Sequence, residues 1–298
     1  MKEGIKMARK KKRRLKKKVK IALIFIILAL IIGCVAFLLT RDDETGGSVN
    51  GTSLNSKDKD EMTSLYYYDK TRHERYVSYQ QEHPDYSVDD VVWQVNVDMD
   101  KENYTEMTMI SEEHENDNVL LVNKHFRLRD DYIPASLVYY NGYYEMTPET
   151  KDAFTKMANA ASEEGIYLNP GSTYRSVSYQ RDLYQSYADS DGVANADTYS
   201  ARAGSSEHHT GRAIDLVGPD WTLDSFGGTA ASDWIIEHAY EYGFIIRYQE
   251  ETEYITGYIY EPWHITYVGS ECSEIMHQYN IDTLEEYYVK YVMYTPGF

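Results

Sequence analysis

The ten residues SEHHTGRAID, from Ser206 to Asp215, are the most informative stretch of the chain. Gly211 permits a tight reversal and a close backbone approach between the segment around His208 and a strand beginning at Ala213. Side chains on one face of a strand repeat every two residues, so Ala213 and Asp215 share a face. A small residue beside an inward-facing aspartate leaves room for a metal ion.

A second cluster, EPWH, occupies residues 261–264. Proline interrupts the pairing of a strand, so Glu261 and His264 can enter one cavity despite their odd spacing. With His208 and Asp215 the chain then offers three nitrogen or oxygen ligands and a spare carboxylate. Three protein ligands and an open position are typical of catalytic zinc, and the spare carboxylate suits a general base. The spacing also fits ordinary strand-end acids.

These residues resemble the motifs of the VanY-type D-alanyl-D-alanine carboxypeptidases, zinc peptidases that trim peptidoglycan stem peptides. Residues 206–215 fit the pattern Ser-x-His-x-x-Gly-x-Ala-x-Asp, and residues 261–264 with 267–269 look like the second motif of that family. Residues 174–176 together with Gln180 are similar to its substrate-binding segment. The resemblance covers roughly residues 70–290.

The resemblance implies a role for each matching position. One zinc ion would be bound by three ligands: His208, Asp215 and His264. The catalytic residues would be Glu261, as the base, and Arg175, which would help to stabilise the oxyanion. The resemblance and its motifs also imply a set of substrate-binding residues: Ser206, Gln180, Arg175, Trp263 and Tyr174.

Three positions need a separate interpretation. Arg175 suits a C-terminal carboxylate because its guanidinium donates two parallel hydrogen bonds, although a structural ion pair in an acid-rich domain is the alternative. Thr266 stands where relatives often carry Arg, so we expect an effect on shape or specificity rather than on metal binding. His209 stands where relatives commonly have Gln, and strand alternation predicts that it points away from His208.

The charge of the chain is segregated along its length. The net charge is −18, but residues 1–20 contribute +11 with 12 basic residues and one acid, so the remainder carries −29. An acidic body argues against nucleic acid as a partner, because phosphate binding needs clustered Lys and Arg. Residues 21–40 are uncharged and as long as a bilayer-spanning helix.

The N-terminal pattern predicts a single-pass protein of the cell membrane with its catalytic domain outside the cytoplasm. The basic segment 1–20 would stay inside and orient the anchor 21–40. A cleaved signal peptide and a lipoprotein modified at Cys34 are the alternatives. Residues 41–64 predict a flexible tether, and residues 65–298 predict the zinc carboxypeptidase domain. With only Cys34 and Cys272 in the chain, no intramolecular disulfide is expected.

The predicted fold class is α+β: a small antiparallel sheet holds the zinc site and is flanked by helices, behind an N-terminal transmembrane helix. Helices are predicted over 70–81, from Pro148 to Gly165, over 176–188 and from Ser232 to Gly243. Strands are predicted over 91–97, 119–122, 166–168, 213–217, 244–247, 254–260 and 264–268.

The sequence therefore predicts a monomeric zinc-dependent carboxypeptidase that removes the C-terminal D-alanine from peptidoglycan stem peptides. Nothing in the motifs separates D,D- from L,D-specificity. Two other functions remain open: a non-catalytic cell-wall-binding module, suggested by the 30 tyrosines, and a peptidoglycan endopeptidase of the same fold. A pure binding module has no need of Glu261, so the set of ligands with a base favours an enzyme.

Overall fold

The computed structural model describes residues 56–117 and 119–294, which belong to one unit formed by residues 53–298. In the described part of the chain the strands are β1 (Thr108–Met109), β2 (Phe126–Arg127), β3 (Val138–Tyr140), β4 (Tyr144–Met146), β5 (Pro170–Ser172), β6 (Ala213–Leu216), β7 (Phe244–Tyr248) and β8 (Glu261–Tyr267). The last four form an antiparallel sheet in the order β5-β6-β8-β7. Strands β3 and β4 form a separate antiparallel pair, and β1 pairs in parallel with β2.

Helices surround this sheet, and together they give the mixed architecture that the sequence predicts. They are α1 (Ser56–Ser64), α2 (His73–Glu82), α3 (Val88–Asn96), α4 (Pro148–Glu163), α5 (Val177–Asp191), α6 (Val193–Ala196), α7 (Ala230–His238), α8 (Glu253–Thr256), α9 (Ser270–Tyr279) and α10 (Leu284–Tyr287). Thr147 and Ser176 cap α4 and α5, each accepting a hydrogen bond from the backbone three residues on. Both helix starts match the prediction.

Several predicted strands are wrong. Residues 91–97 lie mainly in helix α3, which Ser87 caps. Nearly every side chain of α3 is buried, so the alternation that suggested a strand reflects burial on all sides. Residues 254–260 contain the end of α8 followed by a loop. Residues 119–122 and 166–168 form no strand, whereas the strands predicted at the three remaining sites correspond to β6, β7 and β8.

The alternation of side chains along the sheet separates its core face from its polar face. Ile214 pairs with Ile265 across β6 and β8, and both are fully buried in a core cluster with Phe154 of α4. The next pair, Asp215 with His264, points to the opposite face. A second core cluster packs α2 and α3 against residues near the C-terminus. The sheet therefore presents its polar pair on the face opposite the Ile214–Ile265 core cluster.

The predicted localisation, a single-pass membrane protein, is corrected by the structure. Over residues 56–117 and 119–294, no helix is both long and apolar enough to cross a bilayer. The longest is α4, whose 16 residues rise roughly 24 Å against a hydrocarbon core of roughly 30 Å. The predicted basic segment 1–20 and anchor 21–40 lie outside the described residues, as does most of the predicted tether. The end of that tether is helix α1, in which Met62 is fully buried.

Candidate active site

Three predicted metal ligands converge from separate elements. His208 lies on a short 3₁₀ helix (Glu207–Thr210), Asp215 on β6 and His264 on β8. Their donor atoms all lie within 4.8 Å of one another, and all three residues are buried. His208 Nε2 is 3.1 Å from Asp215 Oδ2, and His264 Nδ1 is 3.1 Å from Asp215 Oδ1. Among the described residues, this is the group whose donors are placed to hold a metal ion.

The backbone leaves one nitrogen of His208 free for a metal. Its Nδ1 lies 2.6 Å from the carbonyl oxygen of Thr173. A carbonyl only accepts, so Nδ1 carries the proton and Nε2 presents a lone pair. Burial lowers the pKa of His208 to about 4, with Arg175 acting in the same direction, which keeps the ring neutral. Nε2 and Asp215 Oδ1 are buried without a hydrogen-bond partner, which fits a site for a cation such as zinc.

Two local irregularities bring these side chains together. Gly211 adopts φ +68°, and a Cβ there would lie 2.8 Å from Leu137, so glycine turns the chain from the 3₁₀ helix into β6. The pairing of β7 with β8 shifts between the Ile246–Ile265 and Tyr248–Glu261 pairs. That shift lets Glu261 and His264 line the same cavity despite their three-residue spacing, as predicted.

Glu261 lies beside the three donors without replacing any of them. Its Oε2 is 3.7 Å from Nδ1 of His264, and the residue is 6 % exposed. Burial raises the pKa of Glu261 to about 8; the Asp215 carboxylate adds to this, and His264 opposes it. A cation placed at the three donors would favour the ionised carboxylate. With a cation bound there, Glu261 would have both the position and the ionisation state of a proton acceptor.

A cleft of about 370 Å³ opens over these groups. The side chains at its wall include the three donors, Glu261 and four of the predicted substrate-binding residues, namely Arg175, Gln180, Ser206 and Trp263. Tyr174 does not line it, and its backbone N–H donates to the carbonyl of Glu145. Aromatic side chains complete the wall: Tyr187, Tyr199, Tyr248 and Tyr258.

The polar groups of the cleft have unused hydrogen-bonding capacity. Arg175 lies 3.8 Å from Asp215 Oδ2, too far for a hydrogen bond, and its Nε is buried without a partner. Gln180 donates to Ser200 Oγ and to the carbonyl of Ala201, while its Oε1 has no partner. The guanidinium and the amide oxygen are therefore a donor and an acceptor available to a ligand.

His209 is occupied by the backbone. Its Nδ1 donates to the carbonyl of Arg175 at 2.7 Å, and its Nε2 accepts the N–H of Gly204 at 3.1 Å. The expected orientation away from His208 is found, but its reason is a 3₁₀ turn and not strand alternation. This ring holds the Arg175 backbone against the loop before the metal-ligand motif.

The sequence interpretation missed a buried charge network behind the site. Glu207 accepts from Arg247 Nε at 2.6 Å and from Thr266 Oγ1 at 2.6 Å, and it lies 3.3 Å from Nε2 of His264. Arg247 in turn donates to Glu285. Burial opposes ionisation of Glu207, yet Arg247 and His264 lower its pKa to about 2. Glu207 stands inside the quoted motif, whereas no local pattern marks Arg247 or Glu285.

The same balance acts on the second histidine. Burial opposes the charged form of His264, but Asp215 and Glu207 raise its pKa to about 9. Thr266 thus has a defined place: its hydroxyl contacts Glu207, and Glu207 contacts the histidine. The expected effect of Thr266 on shape or specificity, rather than on metal binding, stays a prediction.

Comparison with known proteins identifies relatives of this site. A family model described as VanY, D-alanyl-D-alanine carboxypeptidase, matches residues 144–270. The Bacillus subtilis (strain 168) protein YodJ, to which a carboxypeptidase activity is attributed, is 37 % identical over 187 residues. That match covers 58 % of this chain and 68 % of YodJ.

Two solved structures share the fold. The LdcB LD-carboxypeptidase has a TM-score of 0.58 and 35 % identity, over 63 % of this chain and 92 % of that one. A variant of the vancomycin-resistance D,D-pentapeptidase VanY from a VanB-type cassette, in complex with Zn(II), has a TM-score of 0.50 and 26 % identity. The match covers 57 % of this chain and 98 % of that one.

Proposed function

Because this chain belongs to the VanY family of D-alanyl-D-alanine carboxypeptidases, we propose that it is a zinc-dependent enzyme that removes the C-terminal D-alanine from peptidoglycan stem peptides. The observation that carries the proposal is the convergence of His208, Asp215 and His264 within 4.8 Å, beside Glu261 and Arg175 in one cleft. A wall-binding module has no use for that arrangement. The carboxypeptidase activity of the family and the Zn(II)-bound VanY neighbour support the same assignment.

The donor set suits zinc in its catalytic form. Two imidazole nitrogens and one carboxylate leave a further position open on a four-coordinate ion. When bound, zinc supplies a Lewis acid that polarises the scissile carbonyl and makes water more acidic. His208 and His264 are the nitrogen ligands and Asp215 the oxygen ligand in this proposal.

Glu261 carries the proton in the proposed reaction. One carboxylate oxygen of Glu261 accepts a proton from the attacking water. The oxygen atom of that water then forms a bond to the carbonyl carbon of the substrate. As the C–N bond breaks, Glu261 returns the proton to the leaving amine nitrogen. The product amine is free D-alanine, and the remaining peptide ends in a new carboxylate.

Arg175 provides the positive charge that an exopeptidase needs for a free carboxylate terminus. Its side chain is 20 % exposed and lines the cleft. A bidentate pair with the substrate carboxylate places the terminal residue at one end of the site. The domain is strongly acidic, and salt screens long-range attraction beyond about 8–10 Å. Recognition therefore depends on local charge.

The experiment compares two synthetic stem peptides as substrates of the purified full-length chain. A pentapeptide ending in D-Ala-D-Ala and a tetrapeptide ending in L-Lys-D-Ala are incubated with enzyme, with chelator, and with chelator followed by added Zn(II). We expect release of D-alanine from at least one stem, loss on chelation and recovery with zinc. The preferred stem assigns D,D- or L,D-specificity, a distinction that the LdcB and VanY neighbours leave open.

A matched pair of variants tests the base. Glu261→Gln keeps the shape of the side chain and should lower kcat by about 10²–10⁴-fold while zinc remains bound. Glu271→Gln, at an exposed position in α9, should leave kcat unchanged. Release of D-alanine that survives both chelation and Glu261→Gln contradicts the proposal. An endopeptidase would release peptide fragments without D-alanine, and a binding module would retain wall affinity after both treatments.

A further inference from the structure

Three side chains from two neighbouring strands, Arg247 on β7 and His264 and Thr266 on β8, converge on the carboxylate of Glu207. Oε1 accepts from Arg247 Nε at 2.6 Å, and Oε2 accepts from Thr266 Oγ1 at 2.6 Å. Oε2 also lies 3.3 Å from Nε2 of His264. Glu207 is 2 % exposed, so water does not satisfy these groups. A carboxylate has enough lone pairs to accept all three bonds at once.

The guanidinium of Arg247, which donates to Glu207, is also hydrogen-bonded to a second carboxylate. Arg247 donates through both terminal nitrogens to Glu285, at 3.0 and 2.7 Å. Asn123 Nδ2 donates to the same carboxylate at 3.1 Å. Arg247, Glu207 and Glu285 are each at most 2 % exposed. The chain Asn123–Glu285–Arg247–Glu207 therefore fixes the orientation of the Glu207 carboxylate.

We propose that Glu207 is the positioning residue of His264: it fixes the tautomer that turns Nδ1 toward the metal site. An acceptor at Nε2 requires that this nitrogen carry a proton, so the neutral ring that binds a metal has its lone pair on Nδ1, which lies 3.1 Å from Asp215 Oδ1. The inference rests on the proposed metal site, since it concerns how one of its ligands is oriented.

One short 3₁₀ helix (Glu207–Thr210) thereby carries His208 and also the residue that orients His264. His208 is itself a ligand on that helix, and its tautomer is fixed by the carbonyl of Thr173. The preceding residue, Glu207, contacts the other histidine, His264 on β8. The backbone of Glu207 is held in turn, because Thr210 Oγ1 donates to its carbonyl at 2.6 Å.

A glutamine at position 207 has the right size and the wrong hydrogen bonding. Its amide has one accepting and one donating end. If the nitrogen faces Arg247, two donors oppose each other. If it faces His264, the ring must accept at Nε2, so the proton moves to Nδ1 and blocks the lone pair. Glu285→Gln is the matched control, because Glu285 holds the same guanidinium without contacting His264.

The experiment measures zinc affinity of the full-length chain by competition with a chromogenic chelator. We expect Glu207→Gln to weaken zinc binding by about 10–100-fold and Glu285→Gln to change it by less than about threefold, although both variants lower thermal stability. Equal zinc affinities for wild type and Glu207→Gln overturn the inference and leave the proposed function intact. A wild type that binds no zinc overturns the proposed function and this inference together.

A second measurement does not depend on whether Glu207→Gln folds. In the long-range ¹H–¹⁵N spectrum of the zinc-loaded wild type, the signals of His264 are assigned by their loss in His264→Ala. The inference expects a proton on Nε2 and none on Nδ1. A spectrum with the proton on Nδ1 contradicts it, whatever the variants do.

Discussion

Replacing Arg247 with methionine should destabilise the protein strongly. The substitution keeps an unbranched side chain of similar length but removes the charge between two buried carboxylates. Arg247 is 1 % exposed and donates three hydrogen bonds, one to Glu207 and two to Glu285. Among the residues that the structure describes, neither carboxylate has another cationic side chain as close as this guanidinium. Both would be left buried with their principal counter-charge gone.

The expected cost follows from that burial. Removing one partner of a buried ion pair costs about 3–5 kcal/mol of unfolding free energy, because the remaining charge is uncompensated. For a domain of this size each kcal/mol shifts Tm by about 2–4 °C. Arg247→Met should therefore lower Tm by about 6–20 °C at neutral pH.

The size of the loss should depend on pH. In the wild type the pKa of Glu207 is about 2, below its ordinary 4.5. Its ionised form thus stabilises the fold above pH 4.5, and this contribution is lost as the pH falls toward 2. Without Arg247, burial favours the protonated acid. The difference in unfolding free energy between wild type and variant should accordingly narrow as the pH falls from about 4.5 toward 2.

Thermal and urea unfolding of the full-length chain, followed by circular dichroism at several pH values, measure the loss of stability and its dependence on pH. The matched control is Arg181→Met, at an exposed position of α5, which should change stability by less than about 0.5 kcal/mol. A loss below about 1 kcal/mol for Arg247→Met, or a gap that stays constant with pH, would refute the reasoning.

Three further predictions concern the site. Arg175→Ala should raise KM for the cleaved stem by about 10–100-fold, since a charge-assisted hydrogen bond contributes about 1.5–3 kcal/mol; unchanged steady-state kinetics would contradict the recognition model. His209→Gln should leave zinc affinity within about threefold of wild type, because both ring nitrogens bond the backbone; a larger loss in chelator competition would make it a ligand. The chelated protein should lose thermal stability as the pH rises from about 6.5 to about 9. Protonated His264 stabilises the metal-free fold, and because its pKa is raised to about 9, this contribution is complete below pH 6.5 and is lost as the pH rises through 9. A Tm that rises across this pH range would contradict the prediction.

The sequence was most informative where local rules decide the structure. Thr147 before Pro148 and Ser176 before α5 predicted helix starts, because capping depends on residues three apart. The convergence predicted for His208, Asp215 and His264 is found, since motif spacing and a proline already restrict where those side chains can point. The zinc ion itself and the roles of these residues remain proposals.

Prediction failed where burial rather than periodicity sets the pattern. Residues 91–97 alternate in sequence, but residues 91–96 belong to helix α3 and are all buried. The predicted localisation relied on residues 21–40, and no helix of the described chain can span a bilayer.

The sequence by itself determined the family and predicted the three candidate donor residues, because both reside in short motifs whose chemistry depends on residue type and spacing. Only the tertiary structure decided what stands behind those residues. Arg247, 40 positions further along the chain, donates to Glu207, and Glu285, 78 positions further, accepts from Arg247. These hydrogen bonds form only when β7, β8 and the C-terminal helices pack together. Burial then turns ordinary charged side chains into one network, since in a poorly solvated interior each charge must find its partner.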